Sequence, residues 1–190
     1  MEFLRLLKRV IKQASLIGTS VIAALVVFLL LFTDCSAIAS SPSEEEIKAA
    51  FVYNFAKFIE WPEMSEKKLI KIGYVGDNPL SGNLALLSNR KIKELGIEVF
   101  QINDPEEALA VEVLFVPAAD FNDSSEIIRA IADQPILSIS DAPGFVKKGG
   151  VIGLKIAGNR LRFDVNLKLA NRKGLKISSQ LLSLAMEVIK

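Results

Sequence analysis

Four aspartates, Asp77, Asp104, Asp120 and Asp141, each stand just beyond a short apolar run rich in β-branched residues. Carboxylates gathered at the carboxyl ends of parallel strands can hold Mg²⁺ for phosphoryl chemistry. An aspartate leaving a strand also makes the N-cap of a following helix, where it accepts free backbone N–H groups. The capping role is the stronger reading, most plainly for Asp104 before "PEEALA" and next for Asp77 before "NPLSG".

A second arrangement is "SDAPGFVKKGG", residues 140–150, where Gly144, Gly149 and Gly150 flank Lys147 and Lys148. Glycines beside lysines can offer backbone donors to an anion. No helix start follows to reinforce such a site, so a turn with solvated lysines is the competing expectation.

Other chemistry is narrowed by composition. The chain has no histidine and one cysteine, Cys35. Imidazole-dependent nucleophile systems and the common zinc sites are therefore excluded. No G-x-S-x-G elbow or G-x-x-x-x-G-K-[ST] loop occurs, and Ser65-x-x-Lys68 leads into a strand rather than a helical turn. The expectation is a protein without catalytic residues, metal or cofactor.

The positioning elements begin with a basic, then apolar, leader. Arg5, Lys8, Arg9 and Lys12 precede "VIAALVVFLLLF", and "AIAS" supplies small residues at Ala37 and Ala39. That is the layout of a secretory signal peptide, with cleavage expected before Ser40 and residues 1–39 removed. Two alternatives remain open. An uncleaved anchor would use the preceding "LIGTS" to reach about 17 residues; lipidation at Cys35 fits less well, because Asp34 stands where a small residue is wanted. A chain beginning at Ser40 has no cysteine and relies on its core in an oxidising compartment.

Residues 40–190 carry no long Pro/Gly linker or repeat and are read as one domain. "SPSEEE" gives overlapping capping signals for a helix expected to run to about Glu60, before Pro62. Strands are expected over 69–76, 97–102, 111–118 and 135–140, with helices over 80–93, 105–110 and 124–132 between them. Alternation of this kind predicts an α/β fold, a mainly parallel sheet of about four strands with helices on both faces. "VIGLKIAGNRLRFDV" then alternates strictly around Gly158-Asn159 and predicts an antiparallel hairpin extending the sheet. Its inner face would carry Ile152, Leu154, Ile156, Leu161, Phe163 and Val165, its outer face Lys155, Arg160, Arg162 and Asp164. A short helix ending near Gly174 and another starting at Ser178 or Ser179 close the chain.

Charge is polarised. Residues 40–141 hold 9 basic and 18 acidic side chains, and residues 142–180 hold 9 basic and 1 acidic. Either folding interleaves the two sets, or a basic face steers an anionic partner. Nucleic acid is a poor fit to an exported chain of net charge +1.

In the first helix, 100° per residue places Ile47, Phe51, Phe55 and Phe58 in one stripe, widened by Val52 and Ile59. Tyr53, Lys57 and Glu60 fall opposite, Trp61 lies at the break before Pro62, and Asn54 sits within the apolar sector. Tyr53, Asn54, Lys57, Glu60 and Trp61 are the candidate partner-binding residues; Gly144, Lys147, Lys148, Gly149 and Gly150 are the candidate anion or small-ligand loop.

Five collinear stretches, "IKAAFVYNFAKFIEWP", "IKIGYVGDNP", "VLFVPAAD", "ILSISDAPGFVKKGGVIGL" and "GLKISSQLLSLA", resemble the YfiR/HmsC-like family of exported proteins over residues 44–186. The resemblance implies a periplasmic, non-enzymatic regulator that binds the periplasmic part of an inner-membrane diguanylate cyclase, or a similar sensor, and represses it. Cyclic di-GMP signalling and biofilm formation would fall as a result. It also implies an α/β fold and a homodimer. Some members use cysteine pairs for redox control, which a chain starting at Ser40 cannot do. A periplasmic small-ligand-binding module is the alternative function.

Overall fold

A computed structural model of the chain describes residues 42–190 except Glu63, Asn78, Pro79 and Asn159. The leader, its cleavage site and the Asn159 half of the hairpin turn lie outside the described residues.

The fold is mixed α/β. An eight-stranded sheet runs in the order β10-β8-β7-β6-β5-β2-β4-β3. Its strands are β2 (Leu69–Val75), β3 (Lys91–Ile92), β4 (Leu95–Ile102), β5 (Val113–Val116), β6 (Leu137–Ser140), β7 (Ile152–Ala157), β8 (Arg160–Asn166) and β10 (Val188–Ile189). Strands β4, β2, β5, β6 and β7 are mutually parallel where they pair, and β7 and β8 form the antiparallel hairpin. A separate two-residue pairing joins β1 (Ile59–Glu60) to β9 (Lys176–Ile177).

Strand β5, "VLFV", shows why both faces must be covered: all four residues are buried. Val113 and Phe115 join one apolar cluster, and Leu114 and Val116 join the other. The first cluster includes residues of α1 (Glu44–Lys57), α2 (Leu80–Ala85), α5 (Leu167–Arg172) and α6 (Ser179–Leu184); the second includes residues of α3 (Pro105–Ala108) and α4 (Ser125–Ala130).

Helix α1 starts as its sequence dictates. The Ser43 side chain accepts from Glu46 N–H at 3.1 Å and Glu46 Oε2 accepts from Ser43 N–H at 2.9 Å, a complete capping box. It stops at Lys57, three residues short of the sequence expectation, because Ile59 and Glu60 leave the helix to pair with Ile177 and Lys176. Its buried stripe is Ala49, Val52, Phe55 and Ala56, continued by Ile59 of β1, with Phe51 and Phe58 at the rim. The stripe is thus turned relative to the one inferred from the large aromatics. Alanines at 49 and 56 sit at its centre, and Asn54 is exposed between exposed Ala50 and Lys57 rather than inside the apolar sector. Phe55 stacks edge-on with Phe163 of β8 at 4.9 Å between centroids, and Phe51 reaches the same ring at 6.2 Å.

Three further differences have local causes. The helix expected over 80–93 is only α2 followed by a 3-10 turn at Leu86–Asn89, since Lys91 and Ile92 turn back as β3 against β4. In the hairpin, Ile156 is exposed (62%) and Asp164 buried (8%), the reverse of their expected faces. Finally, the C-terminal residues Val188 and Ile189 add a strand alongside Val165 and Asn166 that the sequence pattern did not signal.

Candidate functional site

The aspartates beyond the strands do different jobs. Asp104 caps α3, accepting from Glu107 N–H at 2.9 Å. Asp120 packs on Gly76 at the carboxyl end of β2, so closely that a Cβ on Gly76 would lie 2.4 Å from its carboxylate. Asp77 is exposed just after β2. Asp141 caps no helix: one oxygen accepts from Ala118 N–H at 2.7 Å, and the other holds Lys48 of α1 at 2.6 Å. Among the described residues no group of three or more acidic, histidine or cysteine side chains is placed to hold a metal ion.

Asp141 opens onto a concavity of about 430 Å³. It forms because β6 ends at Ser140, paired with Gly153, while β7 runs on to Ala157 without that neighbour. One wall is α1, with Lys48 held between Asp141 and Glu44 (2.6 and 2.7 Å). Burial opposes the charge on Lys48, but those two carboxylates outweigh it and keep its pKa above the ordinary lysine value. The other wall is the hairpin, where Lys155 donates to Asp164 Oδ2 at 2.6 Å. The loop after β6 supplies Ala142, Gly144, Phe145 and Val146. The second oxygen of Asp164 is buried without a hydrogen-bond partner among the described residues. Such an unsatisfied acceptor costs about 1–3 kcal/mol.

The loop considered for an anion or small ligand is folded on itself. Gly144 and Gly149 take left-handed backbone (φ 73° and 98°) around a 3-10 turn at Phe145–Lys148. Lys147 and Lys148 N–H both bond Gly144 C=O, and Gly149 and Gly150 N–H both bond Phe145 C=O. Those donors are therefore occupied, and Gly150 is glycine because any Cβ would strike the Phe145 ring at 2.1 Å. Lys147 lies 3.7 Å from Glu187, and Lys148 sits over the Phe121 ring at 5.3 Å. Of the five residues proposed for this loop, only Gly144 lines the concavity.

The candidate partner face on α1 is divided. Tyr53 is half-buried, its hydroxyl donating to Lys91 C=O at 3.0 Å, with Lys57 Nζ and the Arg90 guanidinium each 5.3 Å from its ring centre. Lys57 and Glu60 border a groove of about 220 Å³ together with Lys93 and Lys176. Asn54 is exposed. Trp61 is nearly buried, at 9% exposed, and its indole N–H donates to Glu112 C=O at 3.2 Å; its remaining edge lines a small concavity with Glu60 and Lys93. The structure thus keeps Tyr53, Asn54, Lys57 and Glu60 at the surface and adds Arg90, Lys93 and Lys176, which only the general excess of basic residues could have suggested.

Glu112, beside Trp61, is a further buried carboxylate. It bonds Lys67 Nζ with one oxygen and Lys71 N–H with the other, the latter at 2.7 Å. This clamp ties the entry of β2 to that of β5, and Lys67, Lys71 and Glu112 line an open concavity of about 300 Å³ there. No helix among the described residues is long and apolar enough to cross a membrane.

Comparison with known proteins agrees with this architecture. A model of the YfiR/HmsC-like family matches residues 45–186. Among solved structures, the conserved domain protein from Vibrio cholerae O1 biovar El Tor superposes with a TM-score of 0.52 at 14% identity, over 78% of this chain and 61% of that one. The ABC domain from Streptococcus pneumoniae, solved with L-Trp, gives 0.50 at 14% identity, over 74% and 60%. This chain spans about three-fifths of each of those two, and at such identity the likeness shows the fold alone.

Proposed function

Because the chain belongs to the YfiR/HmsC-like family, we propose that it is a periplasmic regulator that binds the periplasmic part of an inner-membrane signalling protein, such as a diguanylate cyclase, and represses it. Cyclic di-GMP output and biofilm formation fall when it is bound. The observation that carries this reading is the family match from residue 45 to residue 186, which takes in nearly all of the described fold. The chemistry of the chain supports it: histidine is absent, and of the four aspartates beyond the strands Asp104 caps a helix, Asp141 is in an ion pair and Asp120 packs on Gly76, leaving only Asp77 exposed.

Repression by contact requires unequal affinity for the active and inactive partner. The exposed cluster of Tyr53, Asn54, Lys57 and Glu60 with Arg90, Lys93 and Lys176 is the surface we assign to that contact. Five of these seven residues carry charge, so salt should weaken the contact. A second copy of the chain completes the expected assembly, which sedimentation would register as a dimer.

The test is mild crosslinking of the full-length protein in its native membranes, followed by affinity recovery. Recovery of a cyclase or sensor kinase, lost in a Lys57→Glu, Lys93→Glu variant that keeps its melting temperature, is the expected result. Recovery of no membrane protein by the unaltered chain would overturn the reading.

A further inference from the structure

The groove at the end of α1 has a charge and a shape that say what kind of segment it fits. Its lining holds three ammonium groups (Lys57, Lys93, Lys176) and one carboxylate (Glu60), a balance of +2. All three lysines are exposed, and none stands in an ion pair among the described residues. Glu60 is registered with Lys176 across the β1–β9 pairing, so the one carboxylate offsets one lysine and leaves two. The Arg90 guanidinium adds to the excess, standing as close to the Tyr53 ring as Lys57 does, 5.3 Å each. Glu94 follows Lys93 but does not line the groove.

Lys93 is held there against its own backbone preference. Among the described residues it is the only non-glycine with left-handed backbone (φ 56°), a conformation that glycine takes without strain. Lys93 also joins the groove to a second concavity. With Ile59 and Glu60 it lines a neighbouring notch of about 120 Å³, whose wall is formed by Trp61, Met64, Ile92 and Leu95. A cationic track thus runs into an apolar hole.

We propose that the partner segment received here is an acidic peptide stretch with one apolar side chain as its anchor. Its carboxylates lie over Lys57, Lys93 and Lys176, and the anchor enters the notch beside Trp61. The proposal rests on the assignment of this surface to the partner contact and adds the partner's chemistry to it. A bare inorganic anion would meet the lysines and leave the notch empty, and a basic segment would be repelled by the lining. Charge steers the encounter, and the notch fixes the register.

Trp61 is the chain's one tryptophan, so its emission reports on the notch. The full-length protein would be titrated with the capped peptide EELEE, with EEGEE, which lacks the anchor, with KKLKK and with inorganic phosphate. A saturable emission change with EELEE alone is expected, weakening as salt rises. Lys57→Gln with Lys176→Gln should weaken it about tenfold, as the loss of two exposed ion pairs would. Lys93→Gly removes a charge and relieves the backbone, so it should weaken the peptide while the melting temperature stays or rises; a lysine with only a structural role would leave binding unchanged. An equal response to KKLKK or phosphate, equal binding of EEGEE, undiminished binding by either variant, or no saturation would each overturn the proposal. Excess EELEE should also displace the membrane protein recovered by crosslinking. A partner recovered but not displaced would overturn the acidic segment and leave the regulatory reading intact, whereas peptide binding by a chain that recovers no membrane protein would remove that reading alone.

Discussion

Lys173 offers a test of how far the fold tolerates a buried charge. It follows α5, is 4% exposed, and stands in no ion pair among the described residues. Burial pushes its pKa down from 10.5 to about 8; attraction from Asp133 opposes the fall, and repulsion from Arg172 adds to it. Above pH 8 the folded state therefore sheds a proton that the unfolded chain holds until about 10.5. Where the unfolded state binds more protons, stability rises with pH. The charge on Lys173 thus costs stability below pH 8, and the cost is relieved between about 8 and 10.5. A fall from 10.5 to about 8, at about 1.36 kcal/mol per pH unit, corresponds to about 3 kcal/mol as an upper figure. Lys173→Met keeps the long stem and removes the charge, so it should stabilise the protein at pH 7 by about 1–3 kcal/mol. Urea unfolding of both proteins from pH 7 to 10.5 is the assay, read as the difference between them. That difference should shrink as pH rises. A Met variant less stable than the native protein at pH 7, with a difference independent of pH, would refute the reasoning.

Three further outcomes are expected. Glu112→Ala leaves Lys71 N–H without its acceptor while half-exposed Lys67 keeps its water, so urea unfolding should show a loss of about 1–3 kcal/mol. Phe55→Ala empties a fully buried site between Phe51 and Phe163 and should cost about 3–5 kcal/mol by the same measurement. Gly76→Ala should lower the melting temperature through both its φ of 76° and its collision with Asp120; adding Asp120→Ala should restore only the part due to the collision.

The alternating strands and helices were readable because each parallel strand is a short apolar run and each crossover a polar one. The start of α1 was readable to within two overlapping capping signals, of which the Ser43–Glu46 box is the one formed, yet its buried stripe was not. Large aromatics dominate any angular count, whereas close approach to a sheet favours the small Ala49 and Ala56 and leaves Phe51 and Phe58 at the rim. Trp61 looked like surface because its partner, the Glu112 carbonyl, lies 51 residues away. The crevice was hidden for a related reason. Strict alternation in the hairpin separates two faces without saying what covers the second, and here Phe145 and Val146 lie over Gly153. Asp164, opposite Gly153, is enclosed as a result, while Ile156, past the end of β6, is left exposed.

The contacts of α1 also constrain when the protein can fold. The helix packs on Phe163, pairs through Lys48 with Asp141, and hands its chain to β1, which is completed only by Lys176 and Ile177; Ser178 N–H then bonds Phe58 C=O. All of these partners lie at residue 141 or later in a chain of 190. Before they are made, α1 can pack only on the segments that follow it closely, such as α2 and β3, and contacts of such sequence separation form slowly. The result is a delay between emergence of the first helix and its complete docking.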